Sequence, residues 1–481
     1  MASSGLERVQ RHLRLYDHPL VEFSAREKAE SIEVAISPRF TQPQVHTYFF
    51  ELHPRDLDDP RFEWMLQRHI FDGLQDYMIE MFIRTPQHLK QNQQREREGT
   101  SEPSAPGLRQ RITEEIRRAG PIPFSRYMEL CLYEPELGYY SRAREKFGKA
   151  GDFYTSSDVH AVFGRLLSRQ FEEMWRVLDS LGRIDLIELG PGRGLFARDV
   201  LDWSAKQFPE FSRALRYFLV EQSAALRERL QERLAEHIAS DHCKIFDSFE
   251  AAVSGAGESL VVFGNEFFDA LPVEVVDHRG AVRVGVDGER FTEIFVPPSA
   301  REQEFIDRHS VRPEAGERVE VSLVSLEWMN RVAAAFEGRR GFIVLIDYGY
   351  TREEQLAGRH RDTIMTYRQH VATPSPYEAP GEQDITAHVN FRALRAQGMK
   401  GGLEELALLT QSQVLIGIGE ETQFADAFQD CRVPQERAKV ALQLKHLISP
   451  EGMGETFQVL LMSHNVGREK AASLGGLKLA R

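Results

Sequence analysis

IDLIELGPGRG, residues 184–194, is a short apolar run that carries an acid near its end and closes on three glycines at alternate positions. A strand buried on both faces reads this way. Glycine at the carboxyl end of such a strand lets the backbone approach a ligand and turn sharply into a helix, a role open to Gly190, Gly192 and Gly194. The dinucleotide fingerprint requires G-x-G-x-x-G, whereas here the third glycine comes one residue early and Glu188 stands two before the first, giving E-x-G-x-G-x-G.

Further runs of the same type come later in the chain: RYFLVE (216–221), CKIF (243–246), SLVVFG (259–264) and GFIVLID (341–347), most of them separated by helix-length stretches. They predict an α/β fold, an open and mostly parallel sheet with helices on both faces. FQVLLMSH (457–464) reads as a late edge strand, and glycine-punctuated alternation between Val273 and Pro298 as inserted hairpins. The second strand ends in Glu221, followed by Gln222, placed to take two ribose hydroxyls. Asp247 and Ser248 come after the third strand, where an adenine edge would lie. An adenosine ligand without a pyrophosphate fits these parts best, which points to S-adenosylmethionine with its amino-acid end toward the glycine turn and Glu188. A nicotinamide dehydrogenase is the more distant competitor.

After the fourth strand come Asn265, Glu266 and Asp269, at the sheet end where open sheets keep their chemistry. Methyl transfer from a sulfonium is an in-line displacement, so catalysis is positioning plus removal of the acceptor's proton. A pair of carboxylates suits a guanidinium acceptor, because each accepts N–H donors and biases one nitrogen toward the methyl. Helix capping is the alternative for Glu266 and Asp269, and core packing the alternative to a cation slot walled by Phe267 and Phe268.

The chain has 481 residues and a formal net charge of -13, so no overall positive field draws it to nucleic acid or anionic lipid. Its three cysteines, Cys131, Cys243 and Cys431, show no metal-ligand spacing, and no metal is expected. No apolar run approaches the roughly 18 residues of a membrane span, and the first residues lack an apolar leader, so a cytoplasmic location is expected. The oligomeric state stays open, a homodimer among the options.

Residues 1–86 read as a small α+β module: IEVAI (32–36) and VHTYFFEL (45–52) as strands, then a helix whose apolar positions Phe62, Leu66, Ile70, Leu74, Met78 and Phe82 recur every four residues. Residues 87–110, opening with QHLKQNQQREREGTSEPSAPG, offer almost nothing to bury and read as a flexible linker. Residues 111–481 form the remaining domain.

Several stretches of that domain together resemble one family: GPIPFSRYMELCLYEPELGYYS (120–141), GDFYTSSDVHAVFGRLL (151–167), IELGPGRG (187–194), NEFFDALPVEV (265–275), IDYGY (346–350) and PGEQDITAHVNF (380–391). The chain is similar to the MidA-like class I S-adenosylmethionine-dependent methyltransferases, which include the mitochondrial protein arginine methyltransferase and complex I assembly factor. The resemblance implies a seven-stranded, Rossmann-like methyltransferase sheet with an added helical subdomain, and symmetric dimethylation of a protein arginine. Carried over by position, Gly190, Gly192 and Gly194 would line the cofactor, Glu221 would hold its ribose, and Asn265 and Glu266 would face its reacting end. Asp152, Thr155 and Ser156 would belong to a lid over the cofactor. The family's usual TSPE reads here TSSD, with Ser157 and Asp158, and its usual threonine after the glycine turn is Leu195.

Asp347 in DYGY is read as facing the cleft or as a capping acid. Asp384, Thr386 and His388 in QDITAHV, with Tyr367, Arg368 and His370, are candidate substrate contacts, and a structural histidine is the alternative for His388. The expectation drawn is a methyltransferase acting on an arginine-bearing protein partner. The alternatives are a small-molecule methyltransferase and a non-catalytic assembly factor that keeps the fold.

Overall fold

The computed structural model describes residues 5–16, 18, 20–28, 31–39, 48–58, 62–63, 65–67, 70, 74, 107–141, 161–180, 182–356, 360, 362–368, 371–372, 375–450 and 452–480. The chain divides into two compact units, Met1–Ala105 and Pro106–Arg481. In the first, the helix Gly5–Leu13 accompanies an antiparallel sheet of Val21–Glu27, Ile32–Pro38 and Tyr48–Leu52, in that order. Val9 and Leu13 share a core with Ile32, Val34 and Leu52, and with Phe62, Leu66 and Ile70 of the predicted apolar stripe. Leu74 packs against that core, while Met78 and Phe82 lie outside the described residues.

The second unit is built on a sheet of seven strands: β1 (Ile184–Leu189), β2 (Leu215–Val220), β3 (Cys243–Phe246), β4 (Ser259–Asn265), β5 (Arg340–Tyr350), β6 (Glu404–Thr410) and β7 (Phe457–His464). Their order is β3-β2-β1-β4-β5-β7-β6. The first five run parallel, and β7 pairs antiparallel with both β5 and β6. A two-residue strand, Val389–Asn390, adds to the end of β5.

The period-two pleat sorts alternate residues onto two cores. Leu186, Tyr217, Leu219, Val261, Phe263 and Val344 face one, Ile187, Phe218, Val220, Val262, Ile343 and Leu345 the other. Helices cover both, as near-continuous apolar strands require. Leu108–Ala119 (α1) and Phe124–Tyr133 (α2) belong to a separate subdomain. Ala161–Val177 (α3) and Leu195–Gln207 (α4) pack on the first face, Leu323–Ala334 (α5) and Phe391–Lys400 (α6) on the second.

The strand Phe457–His464 is not at the edge, as its sequence position suggested. It lies between β5 and β6, and the edge is Glu404–Thr410. EELALLT buries only two of its seven residues, which is what an edge strand covered by helix on one side allows. Such a run gives little period-two signal to read.

The expected hairpins are present: Glu274–Asp277, Gly280–Asp287 and Arg290–Val296 form an antiparallel sheet with Arg318–Val321. Ile122–Pro123, just before α2, adds a fifth strand. Helix α1 begins at Leu108, inside the stretch read as linker, because Leu108, Ile112 and Ile116 recur every four residues and bury against this subdomain. That core joins α1 and α2 to Val282, Val284 and Ile385, so the segment preceding the sheet is held beside its carboxyl end.

Candidate active site

The strand order reverses between β1 and β4, and an open sheet leaves a crevice outside its carboxyl ends at such a switch point. A cavity of about 830 Å³ occupies it, walled by the turns after β1, β2 and β4 and by residues 125–141. That volume lies within the range of roughly 300–1,000 Å³ typical of small-molecule sites.

The glycine turn differs from residue to residue. All three glycines have positive φ, +63° at Gly190, +51° at Gly192 and +70° at Gly194, a region that L side chains enter only at a cost. A Cβ at Gly192 would meet no atom within 4 Å, so its backbone faces open cavity; one at Gly190 would come 2.9 Å from the Phe267 ring. Gly194 lies outside the cavity lining. It caps α4, and a Cβ there would strike Leu230 at 2.6 Å, so its smallness serves helix packing.

Glu188 projects from the end of β1 toward Tyr217 of β2, whose hydroxyl donates to it at 2.9 Å. Burial pushes the Glu188 carboxyl up to about 8 despite that hydrogen bond. Glu221 comes directly after β2, where its own N–H donates to Phe246 O at 3.0 Å and its carboxylate accepts from the Ser223 N–H at 2.7 Å. Burial pushes it up to about 7. Glu188, Glu221 and Gln222 all line the cavity. Asp247 and Ser248 do not: Asp247 is exposed, and the Ser248 hydroxyl donates to it at 3.1 Å.

Beyond β4 the chain takes an unusual turn. Glu266 has φ +51°, a left-handed conformation that costs a non-glycine residue about 1–2 kcal/mol. Two contacts hold it there. The Glu266 N–H donates to Ile346 O at 2.9 Å, and Asp347 Oδ2 accepts from the next three amides, Phe267, Phe268 and Asp269, at 3.2, 3.0 and 3.3 Å. Asp347 is therefore a capping acid beneath the turn; at 1% exposure it lies outside the cavity lining. Burial first, then Asp269 and Glu266, hold its carboxyl well above the usual range.

That turn presents Asn265, Glu266 and Asp269 to the cavity. Asn265 Nδ2 donates to Glu266 Oε1 at 3.1 Å, and the Tyr348 hydroxyl donates to Asp269 Oδ2 at 2.6 Å. Asn265 Oδ1 and Asp269 Oδ1 are buried with no hydrogen-bond partner among the described residues. Buried acceptors of this kind are costly unless something else satisfies them. Burial pushes Asp269 up to about 6. Phe267 lies in the wall with its ring against Trp328 at 4.9 Å, whereas Phe268 is core.

His388 is turned away from the cavity. Its Nδ1 pairs with His360 Nδ1 at 3.0 Å and its ring meets Tyr348 edge-on, while burial and then His360 push it down to about 4, which keeps it neutral. Tyr367 and Arg368 also lie outside the lining, and Arg368 pairs with Glu382. Asp152, Thr155, Ser156, Ser157, Asp158 and His370 lie outside the described residues. Sequence reasoning missed Tyr133 and Tyr140, which enter the wall with Asp384. The only signal was the clustering of tyrosines in YEPELGYYS (133–141).

A sheet ordered 3-2-1-4-5-7-6 with its seventh strand reversed, an acid and a glycine turn at β1, and a second acid at β2 define the class I methyltransferase fold. Residues 166–407 match the family described as "Putative S-adenosyl-L-methionine-dependent methyltransferase", and the chain belongs to that family. It is 28% identical over 408 residues to the Drosophila melanogaster "Protein arginine methyltransferase NDUFAF7 homolog, mitochondrial", covering 79% of this chain and 90% of the relative. To the Homo sapiens "Protein arginine methyltransferase NDUFAF7, mitochondrial" it is 26% identical over 387 residues, covering 75% and 84%. A crystal structure from Burkholderia thailandensis with bound S-adenosyl-homocysteine superposes with a TM-score of 0.65 at 29% identity, over 78% of this chain and 97% of that one.

The chain is therefore a methyltransferase whose cofactor is S-adenosylmethionine. The cavity suits that cofactor: Gly192 leaves backbone open to it, and the Glu221 carboxylate lines the wall after the second strand. The expected cytoplasmic location is overturned by relatives that are mitochondrial by name. That expectation rested on the composition of the first residues, a weaker guide because import signals need not be apolar. Among the described residues no helix is long and apolar enough to cross a membrane.

Proposed function

We propose that this enzyme methylates an arginine side chain of a protein partner, with Glu266 taking the proton and Asn265 orienting the acceptor. The observation that carries the reading is the charge of the cavity wall. Among the described residues seven carboxyl groups line it against two guanidinium groups, Arg126 and Arg193, and with Glu188 protonated at neutral pH and Glu221 half so, the acids still outnumber the cations. Arg126 is itself engaged by Glu115 at 3.0 Å and Glu129 at 2.8 Å. Such a wall favours cations, and both a sulfonium and a guanidinium are cations. The names of the relatives supply the acceptor class. The family resemblance extends the reading to symmetric dimethylation, on a subunit of a respiratory complex.

When bound, S-adenosylmethionine supplies a methyl group on a sulfonium, and the sulfur leaves as a neutral thioether. Gly190 and Gly192 give that molecule backbone to lie against, and Glu221 accepts from its ribose hydroxyls. Asn265 Oδ1 accepts one N–H of the guanidinium and so fixes which nitrogen faces the methyl. Glu266 accepts the proton that this nitrogen must lose as the new N–C bond forms. The rigid turn over Asp347 holds both groups in place without reorganisation at the moment of reaction.

Glu266→Gln tests the assignment. It should leave the calorimetric affinity for S-adenosylmethionine within about threefold of wild type while labelled methyl transfer to a lysate acceptor falls at least 100-fold. Unchanged turnover would remove Glu266 from the chemistry. Wild-type label found on residues other than arginine would overturn the acceptor class.

A further inference from the structure

Part of the cavity wall has no role in the proton transfer or in holding the cofactor. Tyr133 at the end of α2 and Tyr140 a few residues on stack with ring centroids 5.6 Å apart and planes inclined by 27°. The Tyr133 hydroxyl donates to Ala270 O at 2.8 Å, which ties it to the residue after Asp269. The Tyr140 hydroxyl lies 3.0 and 3.1 Å from the two oxygens of Asp384. The aromatic pair thus joins the Asp384 carboxylate to the backbone beside Asp269, two acids that reach the cavity from different parts of the fold. One stands on the turn after β4, the other on the short strand Asp384–Thr386.

Both acids are buried in the wall, and Asp269 keeps an acceptor to spare. Asp384 is 3% exposed, and its Oδ1 also accepts from the Ile385 N–H at 2.9 Å, so its carboxylate is fixed in place. Asp269 is 4% exposed; Tyr348 occupies its Oδ2, and Oδ1 has no partner among the described residues. Burial first, then the charges of Asp384, Asp269 and Glu221, push the Tyr133 hydroxyl well above its ordinary range. Two carboxylates set beside a stacked aromatic pair match a flat cation with several N–H donors, which can pair at its edges and stack on its faces. A compact ammonium would use the charge alone.

We propose that Asp384, Tyr140, Tyr133 and Asp269 Oδ1 form the acceptor subsite of this enzyme, and that it selects a guanidinium over an ammonium. The inference rests on the arginine reading above and deepens it by naming the groups that choose the acceptor. Asp384 binds the cation and Tyr140 positions Asp384. Neither takes the proton.

The test needs no knowledge of the partner protein. Methylguanidinium chloride and methylammonium chloride are titrated by calorimetry into the full chain saturated with S-adenosyl-homocysteine. Wild type should bind methylguanidinium and prefer it to methylammonium at least tenfold. Asp384→Asn should weaken methylguanidinium binding at least tenfold, and Tyr140→Phe severalfold, with S-adenosyl-homocysteine affinity unchanged in both. Tyr140→Phe decides the matter should Asp384→Asn fail to fold. Equal binding of the two cations, or wild-type affinity in the variants, would overturn the subsite, as would a parallel loss of S-adenosyl-homocysteine binding. Turnover separates this proposal from the one it rests on. An enzyme that binds methylguanidinium through Asp384 yet labels no arginine refutes the acceptor reading and keeps the subsite. One that labels arginine with no dependence on Asp384 does the reverse.

Discussion

Replacing Gly190, Gly192 and Gly194 one at a time with alanine should produce different defects, because the three glycines are small for different reasons. At Gly194, φ is +70° and the new Cβ would lie 2.6 Å from Leu230 Cδ2 and 3.4 Å from Leu234 Cδ1. Both leucines are fully buried, so neither methyl moves aside without repacking. The left-handed conformation costs about 1–2 kcal/mol and overpacking about 1–3 kcal/mol. Gly194→Ala should therefore lose roughly 2–5 kcal/mol of stability. At Gly192 the new Cβ meets nothing within 4 Å, which leaves only the conformational term of about 1–2 kcal/mol. That Cβ, however, would occupy space along the cavity wall, and S-adenosylmethionine affinity should fall at least tenfold, or about 1.4 kcal/mol. Gly190 lies between these cases, since its Cβ would press on Phe267 at 2.9 Å, a half-buried ring that can yield toward the cavity. Urea midpoints at unchanged slope give the stability order, and calorimetry on the folded variants gives the affinities. If Gly194→Ala were no less stable than Gly192→Ala, or bound cofactor as weakly, the division of labour within the turn would be refuted.

The two acids with raised values beside the glycine turn, Glu188 and Glu221, predict opposite pH responses. Burial pushes Glu221 up to about 7, and if it holds the ribose as proposed its ionised form is the better acceptor, so S-adenosylmethionine affinity should rise between pH 6 and 8; a Glu221→Gln variant showing the same rise would exclude Glu221 as its source. Glu188 carries a folded-state value raised to about 8 against about 4.3 unfolded. The folded chain therefore binds the extra proton, and its contribution is complete below about pH 4.3 and is lost as pH rises toward 8, by at most about 1.4 kcal/mol per unit. In ligand-free protein, Glu188→Gln should gain stability relative to wild type across that interval, and parallel urea midpoints at pH 5 and 8 would show the carboxyl to be unperturbed.

The parts of the site that the sequence exposes are those whose neighbours in space are also neighbours in the chain. Glu188, Gly190, Gly192, Glu221, Asn265 and Glu266 each stand within three residues of the end of an apolar strand, and parallel strands deliver such ends to one edge of the sheet. A run such as IDLIEL, buried at all six positions, therefore reveals the strand and also places the residues just beyond it. Asp247 and Ser248 show where that inference stops. They too come after a strand, but β3 is the outermost of the parallel set, and the cavity does not extend to them. The order in which strands pair is a long-range property, which is also why β7 reads as an edge and why β6, half-exposed along most of its length, does not read as a strand at all.

The acceptor side is less legible for the same physical reason. Tyr140 and Asp384 are 244 residues apart in the chain and meet at 3.0 Å because α1, α2 and the inserted hairpins share a core with Ile385. Nothing local in GYYS or QDITAHV encodes that meeting. The more conspicuous residue of the second run, His388, is the one that turns inward to His360. A histidine beside a strand draws attention because its chemistry is versatile, whereas a buried aspartate needs a partner to be held at all. At Asp384 that partner is a tyrosine from the other end of the domain. The residues proposed for the cofactor are thus placed by the sheet, while those proposed for the acceptor are placed by how the subdomain packs on it, so substitutions in the subdomain should change acceptor preference with less effect on the sheet.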